Sequence, residues 1–80
     1  MNTVNIEYFA ILRDQAKTEK EILETDCKTL GELYQFLKER YHFTLPIEII
    51  QVALNDEFST HDSNLSSGDK IVFIPPVAGG

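Results

Sequence analysis

One stretch of this chain limits its fold more than any other: the single long amphipathic helix that its spacing predicts. Thr29-Leu30-Gly31-Glu32 is a capping box, with Thr at the cap and Glu three residues on. Behind it, Leu30, Leu33, Tyr34, Leu37 and Tyr41 recur at helical spacing on one face. Lys38 and Arg40 stand in the last turn, where cations suit the helix dipole. The helix is predicted from Leu30 to Tyr41. Most other apolar residues fall in period-two runs. One helix with one apolar stripe covers one side of a sheet, so the expected class is α+β.

The runs give the sheet. Val4, Ile6 and Tyr8 alternate with Asn5, Glu7 and Phe9, which makes Phe9 an aromatic on the polar face. Ile11 to Lys17 reads as a short helical turn or loop. Glu19 to Thr25 reads as a second strand able to form a hairpin with the first, although Ile22-Leu23 blurs its alternation. Pro46 sits in the connection after the helix. Ile50, Val52 and Leu54 mark a third strand, Asn55-Asp56 a turn, and Glu57 to Thr60 a short return strand. Ser66-Ser67-Gly68-Asp69 is a turn into the last strand, Lys70 to Ile74. In that strand Ile71 and Phe73 face the core; Lys70, Val72 and Ile74 face away. Periodicity supports a mixed sheet of about five strands under one helix; the pairing of the first and last strands at its centre, as in a β-grasp fold, is an expectation of topology that periodicity alone does not supply. No repeat or boundary divides residues 1–80, so one domain is expected.

A chain of 80 residues buries only about 60% of its unfolded surface, which leaves little room for an internal active site. The apolar fraction of 42% is ordinary for a globular domain, and a net charge of −6 opposes binding to nucleic acid or an anionic membrane. Met1-Asn2-Thr3 leads straight into a strand pattern, without a secretory signal, and no apolar run reaches transmembrane length. Cys27 is the single cysteine, expected as a small core residue in a reducing cytoplasm. His42 and His61 lack partners at metal-ligand spacing, so no metal site is expected. No Ser/His or Cys/His pairing, phosphate loop or CxxC is present. The chain is therefore not expected to be an enzyme on its own.

Chemistry is instead expected at Phe73-Ile74-Pro75-Pro76-Val77-Ala78-Gly79-Gly80. Pro75 and Pro76 lack N–H groups and end a sheet ladder. Their fixed φ favours an extended exit, so residues 75–80 make a slim tail able to reach roughly 20 Å. Gly79 and Gly80 have no Cβ and let enclosing walls approach the backbone. A carboxylate on Gly80 is ionised at neutral pH and is a poor electrophile. Adenylation would make it a mixed anhydride, from which a sulfur donor gives a thiocarboxylate and a lysine gives an isopeptide bond. Composition does not decide between the two.

This ending resembles that of the sulfur-carrier small subunits of molybdopterin synthase (MoaD-type). The Leu65-Ser66-Ser67-Gly68-Asp69-Lys70 turn, the Tyr8-Phe9-Ala10 start with Arg13 after it, and Ala53-Leu54-Asn55 resemble the same family. The resemblance implies a ubiquitin-like β-grasp fold. It implies that an ATP-dependent, ubiquitin-activating-type enzyme (MoeB-type) adenylates Gly80, and that a sulfurtransferase converts it to a thiocarboxylate. It implies a large subunit (MoaE-type) that receives Pro75, Pro76, Val77, Ala78 and Gly79 in its active site within a 2+2 heterotetramer. There sulfur passes to cyclic pyranopterin monophosphate in molybdenum cofactor biosynthesis. Phe9, Phe58, Val72 and Ile74 are expected to form an exposed apolar docking patch, with Phe58 placed by the resemblance. Arg13 is expected to meet an acidic surface on the activating enzyme. Two other Gly-Gly proteins compete: the thiazole-pathway sulfur carrier (ThiS-type), which typically lacks the Pro-Pro pair, and a ubiquitin-like protein modifier.

Overall fold

The computed structural model describes residues 1–76. The elements in order are β1 (Asn2–Tyr8), α1 (Ala10–Ala16), β2 (Lys20–Thr25), α2 (Leu30–Tyr41), a 3-10 turn (Ile47–Ile49), β3 (Gln51–Leu54), β4 (Glu57–Ser59) and β5 (Lys70–Ile74). The strands form one mixed sheet in the order β2-β1-β5-β3-β4. β1 and β5 run parallel near its centre, with Ile6 opposite Ile71 and Tyr8 opposite Phe73. All other pairings are antiparallel. This is the β-grasp arrangement.

Helix α2 spans the residues its spacing predicts. Thr29 Oγ1 accepts from the Glu32 backbone N–H at 3.2 Å, and Glu32 Oε2 accepts from the Lys28 N–H at 3.2 Å. The carboxylate thus reaches back one residue further than a standard capping box. Gly31 is set close against the 60s loop: its N–H donates to the His61 carbonyl at 2.7 Å, and a Cβ there would lie 3.2 Å from that oxygen. A larger residue would push the helix start off the loop. The buried face of α2, Leu30, Leu33, Tyr34 and Leu37, packs with Val4, Ile6, Tyr8, Val52, Ile71 and Phe73 of the sheet in one core.

Three expectations change. The segment after β1 is a helical element, α1, whose Leu12 and Ala16 are buried. Ile50 belongs to the end of the 3-10 turn, not to β3. Cys27 is half-buried at the rim of the core, not inside it, because it lies in the loop between β2 and α2. The blurred alternation of β2 resolves by pairing: Leu23 packs against the core, while Ile22 is 73% exposed.

The core closes around polar groups at one end. Tyr8 and Tyr41 hydroxyls both donate to Glu21 Oε2, at 2.5 and 2.7 Å, and the Tyr34 hydroxyl donates to the Leu45 carbonyl at 2.7 Å. Tyr8, Tyr34, Tyr41, Phe43 and Phe73 form an aromatic cluster with ring centroids 5.4 to 6.5 Å apart, in edge-on, stacked and tilted pairs. Among the described residues no buried side-chain nitrogen or oxygen lacks a hydrogen-bond partner. No helix among them is long and apolar enough to cross a membrane.

Candidate functional site

Strand β5 carries the chain through the middle of the sheet and delivers the tail. Its last ladder pair is Ile74 with Gln51. Pro75 follows and has no N–H to extend the ladder. Pro75 is nonetheless buried, and the first exposed residue of the exit is Pro76. The arm therefore leaves the body one residue later than the sequence implies. Ile49, Gln51, Ile74, Pro75 and Pro76 line a hollow of about 300 Å³ at its base. Val77, Ala78, Gly79 and Gly80 lie outside the described residues.

Among the described residues, no helix or further strand is packed on the face of the sheet opposite α2. Register makes a cross-strand row there: Glu7 pairs with Val72, Val72 with Ala53, and Ala53 with Phe58. The parallel register of β1 with β5, continued one residue, sets Phe9 beside Ile74. Phe9 is 40% exposed, Phe58 is 74% exposed and Ile74 is half-buried. Four of the sequence-identified residues are thus brought to one face, next to the tail exit. Val72 corrects the expectation in one respect, since it is only 9% exposed. It lies on the middle strand with neighbours on both sides, so it forms the floor of the patch and not its surface.

Two features of this face were not read from the sequence. Ala53 is the tile that joins Val72 to Phe58; its parity between Val52 and Leu54 was a usable signal. Ile49 and Gln51 lie beside the tail exit, and no local pattern marks them, because their position depends on how the 3-10 turn docks. Phe58 is placed by the turn before it. Asn55 and Asp56 both have positive φ, 52° and 73°, which gives a two-residue hairpin of the twist that matches antiparallel strands. Leu54 then pairs with Glu57, and Phe58 falls opposite Ala53.

Arg13 lies exposed on α1, and its side chain makes no hydrogen bond or ion pair among the described residues. Phe9 and Arg13 are linked geometrically. Ala10, between them, has φ 52°, a left-handed conformation that turns the chain sharply out of β1. No group of three or more His, Cys, Asp or Glu residues suited to hold a metal ion occurs among the described residues. The described part of the site thus consists of an apolar sheet face and a proline exit at its border.

The ThiS family matches residues 6–80. The molybdopterin synthase sulfur carrier subunit of Mycobacterium tuberculosis is 32% identical over 83 aligned residues, covering 100% of both chains. A chain in the protein–protein complex of subunits 1 and 2 of the molybdopterin-converting factor from Helicobacter pylori is 28% identical. It superposes with a TM-score of 0.66, covering 98% of this chain and 99% of that one. SAMP1 from Haloferax volcanii has a TM-score of 0.81 over 99% of this chain and 100% of its own, at 21% identity, and so shares the fold.

Proposed function

The chain belongs to the ThiS family, and on that premise we propose that it is the sulfur-carrier small subunit of a molybdopterin synthase. The observation that carries this is the full-length relationship to a sulfur carrier subunit of that enzyme. The geometry supports it, because the uncovered apolar face and the tail exit share one border. A large subunit docked on Phe9, Ala53, Phe58 and Ile74 would receive the tail directly from Pro76. In the cycle proposed, a Gly80 carboxylate oxygen attacks the α-phosphorus of ATP in an activating enzyme and pyrophosphate leaves. A sulfurtransferase persulfide then displaces AMP to give an acyl disulfide, a thiol reduces this to the thiocarboxylate with formation of a disulfide, and the thiocarboxylate passes its sulfur to the pterin precursor as water restores the Gly80 carboxylate. The catalytic groups belong to the large subunit, the complex is a 2+2 heterotetramer, and the setting is cytoplasmic. Arg13, exposed one turn into α1, contacts the activating enzyme. The family match favours a second reading, a thiazole-pathway carrier, to a lesser extent, since the relatives at 32% and 28% identity carry the names of molybdopterin synthase and the molybdopterin-converting factor.

The test is to delete Gly80, or to add one residue after it, and supply activating enzyme, ATP, sulfur donor and large subunit. One residue moves the reacting carbon by about 3.3 Å, whereas misplacement by about 1 Å already lowers a rate on the order of a hundredfold. Wild type is expected to gain, by intact mass, one oxygen-to-sulfur exchange and to form molybdopterin; both variants are expected to form none. Wild-type molybdopterin formation by either variant overturns the assignment. Sulfur acceptance with transfer only to a thiazole-forming enzyme supports the second reading.

A further inference from the structure

The edge of the sheet at β2 carries a self-complementary pattern away from the Phe9, Phe58 and Ile74 patch. β2 pairs with β1 on one side and, among the described residues, has no strand on the other. Tyr8 donates its N–H to the Glu19 carbonyl at 2.9 Å, and this pair lies in the same register as Ile6 with Glu21 and Val4 with Leu23. Antiparallel pairs alternate between hydrogen-bonded and non-hydrogen-bonded. Glu19, Glu21 and Leu23 therefore turn their backbone groups toward β1, and Lys20, Ile22 and Glu24 turn theirs outward.

The same three residues put their side chains on the face opposite α2. Lys20, Ile22 and Glu24 are exposed, Ile22 by 73%, whereas Glu21 and Leu23 face the core side. An exposed isoleucine on an unpaired edge is unusual, because such edges invite pairing with another chain. Neither Lys20 nor Glu24 has an ion-pair partner among the described residues.

We propose that the occupant of this edge is a second copy of the chain, paired antiparallel with the two-fold axis at Ile22. In that register Ile22 meets Ile22 of the other copy, and each Lys20 meets a Glu24. All three are hydrogen-bonded pairs, which use the outward N–H and C=O groups of each strand. The Lys20 carbonyl keeps one lone pair for this, since Thr18 Oγ1 already donates to it at 2.9 Å. Moving the register by one residue would put Ile22 opposite Leu23 and Glu21 opposite Glu24, turning backbone groups away from each other and setting like charges face to face. The charge pattern thus disfavours that slip. The result is a continuous ten-strand sheet with β4 and its Phe58 at each outer edge and β5, which leads to the tail, third in from that edge. An edge contact of this size lies among small, weak interfaces, so the dimer forms at high protein concentration or where two carriers are held close together.

The experiment is sedimentation equilibrium on the full chain, from about 10 μM to about 1 mM, with circular dichroism to verify folding. Wild type is expected to show a monomer–dimer equilibrium. Ile22→Lys is expected to be monomeric. Lys20→Glu or Glu24→Lys alone places like charges opposite in two symmetry-related pairs and weakens association about tenfold or more. The double exchange, Lys20→Glu with Glu24→Lys, restores complementarity and is expected to recover the dimer. Amide exchange at Lys20, Ile22 and Glu24 slows with concentration in wild type. A chain that stays monomeric at about 1 mM, or single reversals that associate as well as wild type, overturns the proposal. Protection of these amides only on adding the large subunit also overturns it, by giving the edge to that partner.

Discussion

Glu21 accepts two tyrosine hydroxyls on one carboxylate oxygen, and this holds the end of α2 to the sheet. Burial, then the hydrogen bond to Glu21, pushes the Tyr8 hydroxyl far above its usual range; the same causes in the same order raise Tyr41. Burial pushes Tyr34 up to about 12. These are the three tyrosines of the chain. The sign follows from protonation: each neutral hydroxyl is favoured by folding, so its contribution is complete below the unfolded value of about 10 and is lost as pH rises above it. The native protein is expected to show no phenolate absorbance step near pH 10. The step should instead coincide with alkaline unfolding followed by circular dichroism. A tyrosine that ionises at its ordinary pH in the folded state contradicts this. At the opposite extreme of exposure stands Phe58. Its removal leaves no core cavity, so Phe58→Asp should change stability by no more than about 0.5 kcal/mol. As an exposed aromatic of the proposed docking patch, its loss should weaken large-subunit binding at least tenfold, measured by calorimetry. Equal binding by the variant would remove Phe58 from the interface.

At the scale of elements, legibility followed the source of each signal. Helix α2 was readable to the residue because its cap, apolar stripe and basic last turn are all local. Replacing Thr29 by Ala should cost about 1 kcal/mol in chemical denaturation, since the Glu32 N–H loses its acceptor. No loss would mean that the Lys28–Glu32 hydrogen bond secures the helix start unaided. Strand β5 and the Asn55-Asp56 turn were legible for similar reasons. Helix α1 was not, because Phe9 supplies no side-chain cap, no acid occupies its first turn, and Ala10 enters with φ 52°. Nor could β2 be oriented from its own residues: Ile22-Leu23 offers either face, and only register against Val4 and Asn5 chooses Leu23 for the core. Of the candidate site, Phe9 and Ile74 followed from parity. Phe58 needed the hairpin geometry, and the burial of Val72 and Pro75 depended on neighbours distant in sequence.

For the whole molecule, the division between body and arm decides how stability and function separate. Among the described residues, every member of the buried core lies between Val4 and Phe73. A chain of this length has roughly 4–12 kcal/mol of stability in all. Leu33→Ala, at a fully buried position on α2, should remove about 2–5 kcal/mol of it. Truncation after Pro76 keeps every core residue among those described and is expected to leave the melting temperature unchanged. Truncation after Ile74 also removes Pro75, which is buried beside the sheet end. A loss of about 1 kcal/mol there corresponds to a fall of about 4–8 °C for a domain of this size. Neither truncation retains Gly80, so neither should accept sulfur. The pair therefore distinguishes an arm anchored at Pro75 from one that leaves the sheet at Ile74. Equal melting of both truncations would place the anchor at Ile74; a large drop on removing only residues 77–80 would mean that the arm also stabilises the body.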